Sequence, residues 1–214
     1  MSELRQLLID TACRMLAENL CKGTAGNLSI RAEEDGEKGY LITPTGIPYN
    51  ELVLDDIVFM CFSEKTPANK REPSSEWRFH QDIYANRPEA NAIVHAHSPF
   101  ATGIACTRKN IPPFHYMIAR FGGDSVRCAQ YETFGTQELS NAALKALKNR
   151  NACLLANHGQ LVFGKNVKHA LGLAVELEEL CRQYWLACQF GTPVLLKPKE
   201  MRVVQKKFDH YGQQ

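Results

Sequence analysis

The sequence predicts an α/β fold in which a mixed, mainly antiparallel sheet is covered by helices on both faces. Strand-like and helix-like patterns are interspersed along the chain. Several strand-like segments follow one another too closely for the crossover helix that parallel pairing requires. The chain has 214 residues, 44% of them hydrophobic, which suffices for one buried core but not for two ordinary domains. We therefore expect a single domain over residues 1–214.

Helices are predicted where apolar residues recur every three or four positions. This spacing gives an amphipathic helix over residues 2–22, which Gly23 is expected to stop. Ser74 or Ser75 is expected to cap a second helix. Further helices are expected at 100–106, from Thr136 to about Lys148, from Asn166 to Phe190, and at about 199–208.

Strands are predicted where short apolar or β-branched runs lie between turn residues. Their side chains should alternate between the two faces of the sheet. The segment from Arg108 to Tyr131 mixes strand-like pieces with Pro and Gly turns. The predicted strands are TAGNLSIR, GYLITPTG, DDIVFMCF, ANAIVHAHS, NACLLANHG and LVFG.

Charge and composition exclude several classes of partner. The net charge is +2, from 25 basic and 23 acidic residues, and no basic stripe indicates a nucleic-acid surface. Charged residues interrupt the N-terminal segment, so no signal peptide is predicted, and no window approaches the roughly 20 apolar residues of a membrane span. The eight cysteines include no C-x-x-C pair, so reduced thiols are expected. We expect a cytoplasmic protein that binds neither nucleic acid nor membranes.

Three histidines form a candidate metal site. His95 and His97 lie two apart on a predicted strand, so their side chains share one face and can bind one ion. His158 follows a very apolar strand in a tight turn, where a third ligand is plausible. Three nitrogens with one open position match a catalytic zinc, although each histidine could also be an ordinary polar or capping residue. His80 and His169, inside predicted helices, are interpreted as ordinary.

Three small turns form a candidate phosphate site. They are GTAGN at 23–27, TPTG at 43–46 and PSS at 73–75. Backbone N–H groups, hydroxyl groups and the helix start after Ser75 together suit a phosphate. None of the turns has the Walker spacing, so a nucleotide is not predicted. Each could also be no more than a turn, because a phosphate site requires all three to converge.

Glu76 directly follows the serine pair and has two interpretations. A carboxylate in the first turn of a helix stabilises that helix through the macrodipole. If Glu76 faced the histidines, it could instead act as an acid and base beside the metal.

Seven short motifs follow one another along the chain. In chain order they are GTAGNLSIR, ITPTGIPY, PSSEWRFH, AIVHAHS, IPPFHYMIA, YETFGT and LLANHG. With these motifs the chain resembles the class II aldolase family of the aldolase/adducin superfamily, and within it the L-fuculose 1-phosphate aldolases. The resemblance covers nearly the whole chain, down to KFDHYG. It implies a central, largely antiparallel sheet with helices on both sides.

The resemblance implies a ligand set and an assembly. It places one zinc ion per subunit on His95, His97 and His158, with Glu76 close enough to coordinate it. It implies a homotetramer with active sites at the subunit interfaces, where Tyr116 reaches the site of a neighbouring subunit.

The resemblance also implies the residues that bind substrate. One set would hold the phosphate and another would lie near the aldehyde. The phosphate set is Gly26, Asn27, Thr45, Gly46, Ser74 and Ser75. The aldehyde set is Phe134, Phe208 and Tyr211.

The implied reaction is the reversible cleavage of a ketose 1-phosphate, L-fuculose 1-phosphate first, to dihydroxyacetone phosphate and a small aldehyde such as L-lactaldehyde. Zinc would stabilise the enediolate charge. Tyr116 is the candidate for the proton at the C4 oxygen, and Glu76 would protonate the enediolate carbon.

Three other functions remain open. A sugar-phosphate 4-epimerase acting on L-ribulose 5-phosphate would use the same metal, although such relatives carry Asp where this chain has Glu76. A methylthioribulose-phosphate dehydratase agrees less well outside the histidines. A non-catalytic, adducin-like binding module would have no need of the four ligands.

Overall fold

The computed structural model describes residues 1–63 and 71–208. Its centre is a seven-stranded sheet in the order β3-β2-β1-β4-β7-β6-β5. Every neighbouring pair is antiparallel except β5 and β6, which are parallel. The predicted fold class is confirmed. The strands are β1 Asn27–Glu34, β2 Glu37–Ile42, β3 Val58–Cys61, β4 Ala92–Ala96, β5 Arg127–Ala129, β6 Ala152–Leu155 and β7 Gly159–Gly164. The helices are α1 Ser2–Ala17, α2 Trp77–Asn86, α3 Pro99–Ala105, α4 Gln137–Ala146, α5 Val167–Phe190 and α6 Pro198–Phe208.

Two hydrophobic cores lie on opposite faces of the sheet. Successive residues of β4 alternate between them: Val94 packs in the core with α1, α3 and α5, whereas Ile93 packs in the core with α2 and α4. Because side chains two apart on a strand share a face, His95 lies on the same side as Ile93. The His95 ring accordingly contacts Phe79 of α2, with ring centroids 5.5 Å apart.

Helix α1 ends earlier than the sequence predicted. It stops at Ala17 because Asn19 adopts the left-handed conformation, with φ 55°. The N–H of Asn19 donates to the carbonyl of Leu16, and the N–H of Leu20 donates to the carbonyl of Met15. This is the pair of hydrogen bonds that closes a Schellman motif. The prediction that Gly23 stops the helix was wrong because Asn takes the position that Gly usually occupies.

Helix α2 starts after Glu76, which occupies the N-cap position without a side-chain capping bond. The predicted cap at Ser74 or Ser75 was therefore wrong. The Ser74 hydroxyl instead accepts from the N–H of Glu76, at 3.3 Å. This bond holds the turn that delivers Glu76 to the end of the sheet.

The predicted cap of α4 is confirmed, and the residue predicted to begin α5 is its N-cap. Thr136 accepts from the N–H of Leu139, and Asn166 accepts from the N–H of His169. Of the residues in the described ranges, none forms a helix long and apolar enough to cross a membrane.

The segment between Arg108 and Tyr131 contains less strand than its pattern predicted. A 3-10 helix spans Tyr116–Phe121, and the only named strand within the segment is β5. Ile111, before the 3-10 helix, and Val126, directly before β5, form an isolated antiparallel bridge.

Candidate active site

Three histidines and one glutamate converge at one end of the sheet. His95, His97, His158 and Glu76 each offer a ligand atom, and these atoms all lie within 4.8 Å of one another. The ring centroids of the histidine pairs are 4.9, 4.7 and 4.8 Å apart, with interplanar angles of 74°, 76° and 71°. The three rings thus surround a common centre, each steeply inclined to the other two.

The antiparallel sheet brings the histidines together. His95 lies on β4, and His97 follows the strand on the same face. His158 lies in the three-residue turn between β6 and β7. Because β7 pairs with β4, with Ala96 opposite Gln160, this turn lies beside the end of β4.

Two glycines allow the chain segments to approach this closely. A Cβ atom at Gly159 would lie 2.3 Å from the carbonyl oxygen of Ala96. A Cβ atom at Gly26 would lie 2.6 Å from the carbonyl oxygen of His95, and Gly26 also has φ +81°. Both distances are shorter than a real Cβ atom adopts, so a larger residue at either position would displace β4 at the histidines.

Glu76 is 6% exposed and faces the cluster. The side-chain amide of Asn27 donates to Oε2 of Glu76 at 3.0 Å. Nε2 of His95 lies 3.1 Å from the same oxygen, and Nε2 of His158 lies 3.3 Å from Oε1. Burial alone would raise the pKa of Glu76, but the adjacent His95, His158 and the Asn27 hydrogen bond outweigh it and lower the pKa to about 2. Glu76 is therefore a carboxylate at neutral pH.

The histidines are prepared to act as ligands. Nδ1 of His95 donates to the backbone carbonyl of Gln160 at 2.8 Å, so its Nε2 faces the cluster. Burial, assisted by the proximity of His95, lowers the pKa of His97 to about 4 and that of His158 to about 3. Both rings are neutral at neutral pH, the form in which imidazole binds metals.

A divalent cation fits these residues. Ligands about 2.0–2.2 Å from one tetrahedral ion lie roughly 3.3–3.5 Å apart. Nε2 of His95 lies 3.0 Å from Nε2 of His97 and 3.1 Å from Oε2 of Glu76, close to that spacing. Oε1 of Glu76 is buried and has no hydrogen-bond partner among the described residues, so the carboxylate keeps an unsatisfied acceptor beside the cluster.

A polar pocket of about 340 Å³ opens beside the cluster. The three predicted phosphate turns converge on it: Ser74 N–H donates to the Thr43 carbonyl at 3.0 Å, and Thr45 N–H donates to the Glu72 carbonyl at 3.1 Å. All six residues of the predicted phosphate set line it. The lining is Thr24, Ala25, Gly26, Asn27, Pro44, Thr45, Gly46, Ser74, Ser75, Glu76, His97, Tyr131, Glu132, Phe134, Asn157 and His158.

The structure brings together only part of the predicted aldehyde set. Phe134 lines the pocket and is 65% exposed. Tyr116 and Phe208 do not line it; their rings stack on each other elsewhere, with centroids 6.5 Å apart and an interplanar angle of 6°. Tyr211 lies outside the described residues.

Sequence reasoning missed the residues that support Glu76. His80, interpreted as ordinary, is fully buried and bonds to the Asn27 side chain at 2.6 Å. The Asn27 side chain, predicted to bind phosphate, is occupied by His80 and Glu76. The available signal was the four-residue spacing from Glu76, the N-cap residue, to His80 and Tyr84, which share one face of α2.

Comparison with known proteins identifies the class to which this site belongs. Residues 6–185 match the family described as Class II Aldolase and Adducin N-terminal domain, and the chain belongs to this family. Class II aldolases are metal-dependent, and the cluster of three histidines and one glutamate fits such a site. The recognition from sequence motifs is confirmed.

Close relatives carry two different names. The chain is 50% identical to the 5-methylthioribulose-1-phosphate/5-deoxyribulose-1-phosphate aldolase of Rhodospirillum rubrum, covering 98% of this chain and 92% of the relative. It is 45% identical to the L-fuculose phosphate aldolase of Escherichia coli strain K12, covering 99% and 96%. A solved L-fuculose 1-phosphate aldolase superposes with a TM-score of 0.91 at 41% identity, covering 98% of this chain and 97% of that one. The chain is thus a class II aldolase, and its relatives differ in the sugar phosphate that their names give.

Proposed function

We propose that the protein reversibly cleaves the C3–C4 bond of a ketose 1-phosphate, giving dihydroxyacetone phosphate and a small aldehyde. The observation that carries this proposal is the convergence of Glu76 and three histidines beside a pocket lined by hydroxyl groups. The proposed metal is Zn²⁺, because imidazole nitrogens and carboxylate oxygens are ligands that catalytic zinc sites use. Metal analysis of the purified protein tests this, and the absence of a stoichiometric divalent ion would favour an adducin-like scaffold.

The phosphate group is proposed to bind at the end of the pocket formed by the three turns. Among the described residues that line the pocket, none is Lys or Arg, so neutral donors would bind the phosphate. The hydroxyl groups of Thr45, Ser74 and Ser75 are available there. The N-terminus of α2 begins directly after Glu76, and its aligned N–H groups favour an anion.

Two side chains are proposed to move protons. A metal ion held by the cluster would polarise the substrate carbonyl and stabilise the negative charge that cleavage develops. In the direction of synthesis, Oε1 of the Glu76 carboxylate, which has no hydrogen-bond partner among the described residues, takes a proton from the carbon of dihydroxyacetone phosphate that becomes C3. Tyr116 donates a proton to the aldehyde oxygen that becomes the C4 hydroxyl group. In cleavage the same two protons move in reverse, from the C4 hydroxyl group to Tyr116 and from Glu76 to C3.

The substrate is proposed to be a ketose 1-phosphate that lacks its terminal hydroxyl group. L-fuculose 1-phosphate, predicted from the sequence, has a terminal methyl group, and so has 5-deoxyribulose 1-phosphate, which occurs in the name of the relative at 50% identity. The exposed ring of Phe134 offers an apolar surface for that end of the substrate.

Cleavage assays with L-fuculose 1-phosphate, 5-deoxyribulose 1-phosphate and D-ribulose 1-phosphate test this proposal. We expect a higher kcat/KM for the first two, because D-ribulose 1-phosphate retains its terminal hydroxyl. L-ribulose 5-phosphate provides the test of the epimerase alternative. Its conversion to D-xylulose 5-phosphate, with no cleavage of any ketose 1-phosphate, would overturn the aldolase proposal.

The assembly is proposed to be a cytoplasmic homotetramer in which Tyr116 completes the site of a neighbouring subunit. Tyr116 is 50% exposed and lies outside the pocket of its own chain, which supports this arrangement. Sedimentation analysis of the purified protein measures the oligomeric state.

A further inference from the structure

A continuous chain of buried hydrogen bonds connects helix α2 to strand β1 and ends on Glu76. The Tyr84 hydroxyl lies 2.8 Å from Oγ of Ser29, and that oxygen lies 2.7 Å from Nδ1 of His80. Nε2 of His80 lies 2.6 Å from Oδ1 of Asn27, whose Nδ2 donates to Oε2 of Glu76 at 3.0 Å. The five side chains are between 0% and 6% exposed.

Matching repeats of the helix and the strand produce this arrangement. Glu76, His80 and Tyr84 are four residues apart, which corresponds to a rise of about 6 Å along a helix. Asn27 and Ser29 are two residues apart on β1, a rise of about 6.6–6.8 Å. Each strand residue therefore bridges two successive helix residues, and the contacts alternate regularly between the two elements.

All donors in this chain point toward Glu76. The Asn27 amide donates to the Glu76 carboxylate, so its Oδ1 must accept from Nε2–H of His80. Nδ1 of His80 then accepts from the Ser29 hydroxyl, which in turn accepts from Tyr84. The opposite direction would turn Oδ1 of Asn27 against the carboxylate, so the negative charge of Glu76 selects this orientation.

A polar network inside a core requires an explanation. Its neighbours on the same helix, Phe79 and Ile83, pack in the core between α2 and the sheet, where apolar side chains would suffice for stability. A fully satisfied network does fix one arrangement of its members. Here that arrangement holds Oε2 of Glu76 and leaves Oε1 without a hydrogen-bond partner among the described residues.

We propose that His80 is a positioning residue: through Asn27 it fixes the orientation of the Glu76 carboxylate, so that Oε1 remains the oxygen available for proton transfer. This inference rests on the proposed acid–base role of Glu76. His80 itself touches neither substrate nor metal, and it acts only through the Asn27 amide.

A matched pair of variants tests the proposal kinetically. In His80→Gln, the amide nitrogen can occupy the place of Nε2 and donate to Asn27, whereas the shorter side chain of His80→Asn can replace only Nδ1. Both variants lose the ring that stacks on Phe79 at 4.8 Å, so they should lose similar thermal stability. We expect His80→Asn to lose about 10- to 100-fold in kcat, with KM changed less than about threefold, and His80→Gln to retain most of its kcat. Equal kcat values in the two variants, at equal metal content, would overturn the proposal.

The tautomer of His80 provides a test that needs neither turnover nor metal. In two-bond ¹H–¹⁵N spectra of the metal-free wild-type protein, the ring signals that His80→Gln removes belong to His80; sequential assignment replaces this comparison if the variant does not fold. We expect the Nε2–H form. The Nδ1–H form would contradict the direction of the hydrogen-bond chain and overturn the proposal.

Failure of this inference is distinguishable from failure of the proposed function. A fully active Glu76→Gln variant would remove the acid–base role, and with it the purpose of the positioning, even if His80 has the Nε2–H form. If Glu76→Gln is inactive but His80 has the Nδ1–H form, the acid–base role of Glu76 stands and only the positioning role of His80 is overturned. Tyr84→Phe breaks the chain at its far end, and we expect a loss of kcat smaller than that of His80→Asn.

Discussion

The two ends of the active-site pocket are built differently. At the metal end, His95 is fully buried, Glu76 is 6% exposed, and hydrogen bonds with residues of β1 and β7 hold their side chains. At the aldehyde end, Phe134 is 65% exposed and Tyr116, 50% exposed, lies outside the pocket of its own chain. The residues proposed for the first end meet within one chain, whereas Tyr116, proposed for the second end, does not line the pocket of its own chain.

This difference suggests that the metal end determines whether the bond is cleaved and the aldehyde end determines which substrate is preferred. Bond cleavage requires ligands and an acid–base group held in a fixed geometry before substrate arrives. An exposed aromatic side chain can be replaced without disturbing that geometry. We therefore expect substitutions at the metal end to abolish turnover for every substrate, and substitutions at the aldehyde end to change the relative rates of different substrates.

The largest effect should follow the loss of a metal ligand. His158→Ala removes one imidazole from the cluster but lies in a turn, so the sheet should remain intact. We expect a loss of more than about 10³-fold in kcat/KM, because the metal supplies the main stabilisation of the developing charge. Elemental analysis should show less than stoichiometric metal. His169→Ala, a histidine on α5 outside the cluster, is the control; a His158→Ala variant with full metal content and activity would contradict the ligand assignment.

Glu76→Gln should lower kcat by about 10²- to 10⁴-fold, the range of general acid–base catalysis. Three histidines remain, so metal content should stay close to that of the wild type. Exchange of deuterium into dihydroxyacetone phosphate in D₂O measures the proton transfer at carbon separately from bond cleavage. Glu132→Gln is a matched control because Glu132 lines the same pocket but lies outside the cluster. Exchange at the wild-type rate in Glu76→Gln would contradict the role of Glu76.

Local periodicity made part of this end predictable. Residues two apart on a strand share a face, which placed His95 and His97 together. The short turn after a buried strand indicated His158. The network behind Glu76 could not be predicted in this way because it depends on how α2 packs against β1: His80 and Asn27 are 53 residues apart in sequence. The end of α1 was missed for a local reason, since Asn19 adopts a conformation more typical of glycine.

Mixed oligomers test whether the aldehyde end is shared between chains. Tyr116→Phe alone should lower kcat by about 10- to 100-fold if Tyr116 handles a proton. Equal amounts of Tyr116→Phe and Glu76→Gln chains, dissociated and reassembled at random, should recover about a quarter of wild-type activity. Half of the sites in such oligomers contain Glu76, and half of those sites receive Tyr116 from a neighbouring chain. No recovery in oligomers verified as mixed would place Tyr116 in the site of its own chain.

Phe134→Ala should change selectivity more than rate. Loss of one exposed apolar surface is worth about 1–2 kcal/mol for a methyl-ended substrate, or roughly 5- to 30-fold in kcat/KM. D-ribulose 1-phosphate, with a hydroxyl at that end, should lose less. Metal content and thermal stability should match the wild type because Phe134 is 65% exposed. Equal losses for all three ketose 1-phosphates would contradict the contact with the terminal methyl group.

The smallest effect concerns the stability of the metal-free protein. Burial and the proximity of His95 lower the pKa of His80 to about 3, below the value of about 6.5 in an unfolded chain. As pH falls below 6.5, the unfolded chain binds a proton that folded His80 does not, so folding loses stability. Between pH 7 and 5.5 His80 should contribute about 1 kcal/mol to this loss, measured by urea unfolding.

His80→Gln should reduce the pH dependence of the unfolding free energy by that amount, whereas Phe134→Ala, at the aldehyde end, should leave it unchanged. The same pH dependence in His80→Gln and wild type would mean that His80 carries a proton in the folded protein, and that the buried end tolerates a charge there.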